Sequence, residues 1–214
     1  MLEKILYYAA TFAEAGLAVF GLRDVYEQPK YSVRERLNTH LEIREYGPRV
    51  LAEATVMAPQ DRQAINIAFN LLFDYITGAN EASRLVAMTA PVQQAIPPER
   101  LAMVTPVQVD SISDSEGNQF SMRFFLPAAV ADNPPRPIDP RVRIITMPPT
   151  TVAVLRFSGP LDVAAQAARK RELLDRLSGT DWRSMSEPYV LAYDPPFTIP
   201  FLRRNEIAVD VTAR

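Results

Sequence analysis

One histidine, His40, and no cysteine are all that this 214-residue sequence offers to nucleophilic or metal-centred chemistry. Without cysteine there is no disulfide framework, zinc-thiolate site, iron–sulfur cluster or thiol nucleophile. A hydrolase triad would have to use His40, and no G-x-S-x-G elbow accompanies it. The seven glycines form neither G-x-G-x-x-G nor a Walker A stretch. His40 lies in Asn38-Thr39-His40-Leu41 at an expected strand start, and reads as a satisfied or exposed side chain rather than an axial metal ligand or general base. Asp110, Asp114 and Glu116 gather around Gly117-Asn118 without the spacing of a calcium loop, which reads as a solvated turn. The densest local charge is Arg203-Arg204-Asn205-Glu206, suited either to an acidic ligand group or to internal pairing with Glu206 at a strand entrance.

The overall charge narrows the partners. At net −2, the 23 basic and 25 acidic residues are scattered, so no basic stripe is available to release counterions from a nucleic-acid backbone. Nucleic acid is therefore not an expected partner. With 48% hydrophobic residues the chain can bury one substantial core. Its 19 prolines, well above the usual share of roughly 5%, cut it into short pieces at Pro97-Pro98, Pro134-Pro135, Pro148-Pro149 and Pro195-Pro196.

The elements that would position any site come in two similar sets. Tyr31 to Arg34 and Leu41 to Tyr46 alternate as half-buried strands do, Gly47-Pro48 makes a turn, and Val50 to Val56 reads as a returning strand. Arg62 to Thr77 then carries a helical pattern closed by Gly78. The order repeats as Val142 to Thr146, Pro148-Pro149, Thr151 to Phe157, and a helix from Pro160 to Leu177 set by Gly159-Pro160 and followed by Gly179. A shift of 101 residues lays Ile43 on Ile144, Pro48 on Pro149 and Ala52 on Ala153. Two copies at so long a period fit a duplicated, pseudo-twofold domain. With FSMRFFL (120–126), YVLAY (189–193) and EIAVDV (206–211) as further strands, the expectation is an α+β fold with a mainly antiparallel, curved sheet and two helices.

A shorter repeat, A-M-x-x-P-V-Q, occurs at 87–93 and 102–108. Both copies read as strands joined through Ile96-Pro97-Pro98-Glu99-Arg100 into a hairpin. The proline, which cannot donate to a ladder, favours an edge or a bulge. The repeat reads as architecture rather than as a ligand contact.

The two helices differ. In the second, Val163, Ala167, Leu174 and Leu177 form one narrow apolar stripe. In the first, Ile65, Ala68, Phe69, Leu72 and Ile76 form the core stripe, while Ile67, Leu71, Phe73 and Tyr75 widen it past half the circumference. Asn66, Asn70 and Asp74 mark the wet side. A helix apolar beyond the roughly 100° stripe that one contact needs is packed on two sides or borders an apolar pocket.

The stretch ILYYAATFAEAGLAVFGL (5–22) is apolar, yet Glu14 sits at its centre, Gly16 and Gly21 weaken it as a helix, and it lies at the short limit of about 17 residues for a membrane span. It reads as a packing or surface-lying helix, a membrane-associated anchor, or a signal cleaved near Ala13-Glu14-Ala15, the last fitting the Glu3-Lys4 start poorly. The expected division is an apolar extension over 1–25 and one domain over 26–214. The expected location is cytoplasmic, with membrane association through 5–22 as the variant; secretion fits less well.

Several blocks in order, taken together, resemble a known family. They are Tyr26-Glu27-Gln28-Pro29-Lys30-Tyr31, Leu41 to Pro48 (LEIREYGP), Phe69 to Asn80 (FNLLFDYITGAN), Met88-Thr89-Ala90-Pro91-Val92, Pro134-Pro135-Arg136-Pro137, Phe157-Ser158-Gly159, Ala192-Tyr193-Asp194-Pro195-Pro196 and Arg203-Arg204-Asn205-Glu206. In this order, from about residue 26 to residue 211, they resemble the SOUL or haem-binding protein family. The resemblance implies duplicated βαβ-type halves forming a distorted, mainly antiparallel eight-stranded barrel with two flanking helices. It is a fold shared with gyrase-inhibitor-like effector-binding domains.

The resemblance also implies non-enzymatic binding of haem or another tetrapyrrole, for buffering or carriage, through an apolar face of the first helix. Carried onto this chain, the face comprises Asn66, Phe69, Asn70 and Phe73, with Arg62, Arg84, Arg203 and Arg204 as candidate propionate partners. Where some relatives have methionines, Phe69 and Phe73 can stack on a porphyrin but cannot ligate iron. Asp74 would repel a nearby propionate, and His40 does not fall on the axial-ligand position of other relatives. The rival reading is a module for other amphipathic small molecules or a protein partner, as in the effector-binding domains. A third, a haem- or bilin-modifying enzyme, is disfavoured by the missing histidine and cysteine chemistry.

Overall fold

The computed structural model describes residues 26–57, 61–95, 119–194 and 198–214. Residues 5–22, the acidic run at 110–118 and the second A-M-x-x-P-V-Q copy, with its hairpin, lie outside the described residues. The strands are β1 (Tyr31–Arg36), β2 (Leu41–Tyr46), β3 (Arg49–Met57), β4 (Val92–Ala95) and β5 (Gln119–Phe125), followed by β6 (Val142–Met147), β7 (Thr150–Phe157), β8 (Trp182–Ser184), β9 (Tyr189–Ala192) and β10 (Asn205–Ala213). Helix α1 spans Asp61–Ile76, α2 Ala128–Ala131 and α3 Val163–Ser178. The sheet runs β1-β2-β7-β10-β9-β4-β5-β3-β6, with β8 paired to β10, and every described ladder is antiparallel.

The duplication is a structural fact with an unexpected wiring. β2 and β3 do not pair with each other across the Gly47-Pro48 turn. β2 lies against β7 and β3 against β6, so each strand takes its partner from the other half. Ile43 faces Ala153 in one ladder and Ala52 faces Ile144 in the other. The 101-residue shift converts each of these pairs into the other. The order β2-β7-β10-β9 is mirrored by β6-β3-β5-β4, and the two sets meet where β9 pairs β4. These eight strands are the expected distorted barrel, curled but open between β1 and β6 among the described residues; β1 and β8 are additions.

Proline at 91 does not mark an edge. β4 is paired on both sides, by β5 and β9, and Pro91 sits just before its first residue, where no ladder donor is lost. Met88 and Val92 of this first copy pack into the core beneath α1.

Alternation along the strands divides the core. On β3 and β5, Ala52, Ala54, Val56, Phe120, Met122 and Phe124 face α1. On β2, β7 and β10, Leu41, Ile43, Ala153, Leu155, Ile207 and Val209 belong with the α3 cluster. The residues between them, among them Tyr46, Leu51, Phe125, Val152, Val154 and Ala208, form a third buried cluster on the opposite face, which neither α1 nor α3 covers.

Both helices sit rotated from the sequence expectation. α1 buries Ala64, Ala68, Leu72, Tyr75 and Ile76, while Phe69 is 37% exposed and Ile65 half-buried. α3 buries Leu173 and Leu177 but leaves Val163 and Leu174 exposed. The sheet beneath accepts one narrow strip of each helix, and for the broad apolar face of α1 a projection cannot say which edge meets it. α3 begins at Val163 rather than Pro160, because the Asp162 carboxylate caps it by accepting from the Ala165 amide at 2.8 Å. Gly78, at φ +112°, ends α1 in a conformation that a side chain would strain.

Candidate ligand-binding site

α1 packs on β3, β5 and β6, and buries the small residues Ala64 and Ala68 in that contact. That seating leaves one flank of the helix unburied. Residues at intervals of three and four share a flank, which places Arg62, Asn66, Phe69, Asn70 and Phe73 on it. Arg62, Asn66, Phe69 and Asn70 are exposed, and Phe73 is half-buried. Phe69 and Phe73 stack with centroids 6.0 Å apart and planes 13° from parallel. The buried Phe124 ring of β5 meets Phe69 edge-on at 5.6 Å and 67°. A flat aromatic surface is thereby held from below and open above, and an edge-to-face contact fixes ring orientation.

The flank carries no histidine, methionine, cysteine or tyrosine, so its fit is to the face of a flat apolar ring system rather than to a metal at its centre. His40 lies exposed in the β1–β2 turn, with its carbonyl accepting from the Arg156 amide. Among the described residues no group of three or more His, Cys, Asp or Glu side chains could hold a metal ion.

The expected arginines separate. Arg62 stands on the flank itself. Arg84 follows the end of α1, exposed, with its backbone pinned by the Asn80 side chain, which donates to the Arg84 carbonyl at 2.8 Å and accepts from its amide at 2.9 Å. Arg203 donates through Nε to the Thr198 carbonyl. Arg204 is committed to Glu206, through Nε at 3.0 Å and Nη2 at 2.7 Å, and lies over the Tyr193 ring at 4.0 Å. This is the internal pairing that the charge run suggested.

That pairing belongs to a buried network which sequence reading largely missed. Glu206 has no exposed surface and accepts from Arg44 twice, at 2.9 and 3.2 Å, and from the Tyr193 hydroxyl at 2.8 Å. On the same face Glu53 is held between Arg123 and Arg143. Burial pushes the Tyr193 phenol well above its ordinary value, and the Glu206 charge adds to that. The available signal was a charged residue inside an apolar alternation, Arg44 in LEIREY and Glu53 in VLAEATV; alternation alone assigned such residues to solvent.

A curled antiparallel sheet of two matched halves, carrying a helix on the back of each, defines the pseudo-twofold α+β half-barrels. Solved structures of this class superpose at low sequence identity: the C-terminal domain of EcmrR, with 12% identity and a TM-score of 0.57 over 86% of this chain and 99% of that one, and an uncharacterized conserved protein from Listeria innocua, with 11% and 0.51 over 81% and 92%. Sequence comparison is more specific, because the model of the SOUL heme-binding protein family matches residues 26–210, and the chain belongs to that family. Relatives include heme-binding protein 1 of Sus scrofa, 28% identical over 68% of this chain and 70% of the relative, and heme-binding protein 2 of Homo sapiens, 29% identical over 77% and 74%. No described helix is long and apolar enough to cross a membrane.

Proposed function

We propose that this chain binds haem or a related tetrapyrrole on the exposed flank of α1 and serves as a non-enzymatic carrier or buffer. The observation that carries the reading is Phe69, an aromatic ring 37% exposed yet fixed in place by Phe73 and Phe124. An immobilised apolar ring facing solvent lowers the ordering cost of a flat ligand. Family membership and the names of the relatives support the choice of ligand. Asn66 and Asn70 would border the macrocycle. Arg62 and Arg84, whose guanidinium groups are not engaged as that of Arg204 is, are the proposed propionate partners.

Titration with haemin and with iron-free protoporphyrin IX, followed at the Soret band, tests this. The expectation is saturable one-to-one binding of both, weakened at least about tenfold in Phe69→Ala with Phe73→Ala, which corresponds to about 1.4 kcal/mol. Unchanged affinity in that double variant overturns the reading. Consumption of bound haem under reductant would replace carriage by catalysis.

The centre of the face opposite the helices gives the rival reading, another amphipathic small molecule, no room. Its acid, Glu206, is already neutralised, and Tyr46, Phe125, Tyr189 and Tyr193 close around a void of about 10 Å³, room for about one water.

A further inference from the structure

Beside that filled centre the uncovered face opens into a cleft of about 470 Å³, within the usual range for small-molecule sites. Pro29, Val50, Phe125, Leu126 and Ala128 give it apolar walls, and Arg49, the first residue of β3, lines it. The sheet separates it from the α1 flank: Phe124 belongs to the cluster under α1 and Phe125, the next residue, to the opposite face.

Arg49 is unlike the other arginines of this face. Arg44 and Arg204 meet Glu206, and Arg123 and Arg143 meet Glu53. No described carboxylate lies within ion-pairing distance of Arg49. Its guanidinium lies over the Tyr46 ring at 4.4 Å and near Phe125 at 5.8 Å, and Nη2 donates to the Thr150 hydroxyl. Its Nε is buried without a hydrogen-bond partner among the described residues, and Arg49 also lines the small void beside Tyr46 and Phe125, so it is the rest of the guanidinium that the cleft offers to a ligand. Burial pulls its pKa below the ordinary arginine value, against the opposing influence of Tyr189, Tyr46 and Asp210. A half-buried guanidinium held on two aromatic rings, with its charge uncompensated, is costly unless an anion completes it. The carboxylates near the cleft do not serve: Glu27 accepts from the Ala128 amide, and the exposed Asp132 shares the lining with a second cation, Lys30.

We infer that this cleft is a second binding site, for an amphipathic small molecule that places one carboxylate on the Arg49 guanidinium and a flat apolar body against Phe125 and Leu126. The planar fork matches a carboxylate in two-point geometry, and the aromatic rings beneath it fix the direction of its donors. The inference is independent of the haem reading, since the two sites lie on opposite faces of the sheet.

The test uses 2-naphthoate as probe and the uncharged 2-naphthamide as its neutral counterpart, titrated calorimetrically into the full chain. The expected result is one-to-one binding of naphthoate at least about tenfold tighter than the amide, as one charge-assisted hydrogen-bond pair implies. Arg49→Gln should bring naphthoate down to the level of the amide, and the Phe69→Ala, Phe73→Ala double variant should leave naphthoate binding unchanged. Equal binding of the two probes, absence of saturable naphthoate binding, or loss in the α1 variant instead of Arg49→Gln overturns the inference. Should Arg49→Gln fail to melt cooperatively, Ala128→Trp fills the same cleft with Arg49 intact; naphthoate binding that survives it overturns the assignment equally.

Discussion

Arg44 and Glu206, 162 residues apart, meet in a two-point ion pair at 2.9 and 3.2 Å with 3% and 0% of their side chains exposed. The pair joins β2 of the first half to β10 of the second across β7. Breaking a buried pair from one side leaves an uncompensated charge, which costs about 3–5 kcal/mol. Glu206 also neutralises Arg204, so Glu206→Gln takes the carboxylate from Arg204 and leaves Arg44 with Glu42 alone, whereas Arg44→Met leaves Glu206 with Arg204 and Tyr193. Urea unfolding should therefore show Glu206→Gln near the upper end of that range and Arg44→Met clearly milder.

Acid should weaken the fold through Glu53. Burial pushes this carboxyl up, but the hydrogen bonds and charges of Arg123 and Arg143 outweigh it and hold it below the ordinary 4.5. Glu42 is held down likewise against its burial, by Arg44 and Arg36. A depressed carboxyl contributes stability that is complete above its unfolded value and lost as pH falls through its folded one. Unfolding free energy should thus fall as pH drops below 4.5. Glu53→Gln should be less stable at neutral pH and show a flatter acid limb in denaturation curves taken across that window.

Alkali should act through buried phenols. Burial, reinforced by Asp210, raises Tyr189 well above 10, burial with Glu206 does the same to Tyr193, and burial raises Tyr75 to about 12. A group raised in the folded state contributes stability below its unfolded value that is lost as pH rises through its folded one. Burial also raises Tyr46, so spectrophotometric titration should leave four of the eight tyrosines silent just above pH 10 until the chain unfolds, and then show them together.

The two sides of α1 should separate stability from binding. Leu72 is fully buried, and Leu72→Ala should cost about 2–5 kcal/mol. Phe69 is already partly in water, and Phe69→Ala should cost about 1 kcal/mol. Denaturant midpoints check both, and a Phe69 variant that melts almost normally yet loses haemin isolates the ligand surface.

The sequence alone determined the local elements and their duplication. Alternation and helical spacing are short-range properties, so β2, β3 and α1 were legible with their counterparts β6, β7 and α3 at the 101-residue shift. The apolar surplus of α1 was legible for the same reason, since it shows within sixteen residues, but the periodicity put Phe69 in the core stripe, and only the family resemblance grouped it with Asn66, Asn70 and Phe73. Tertiary structure decided which strands pair. A strand's pattern says which side it buries but not whose edge it meets, and β2 and β3, adjacent in sequence, each took a partner from the other half. It also decided which edge of α1 faced the sheet, leaving Phe69 out and Tyr75 in. Charge showed the limit most clearly. The run Arg203 to Glu206 left an acidic ligand and internal pairing both open, alternation put Arg44 towards solvent, and only the partner brought to each, or withheld from Arg49, separates a structural ion pair from a charge left to be met.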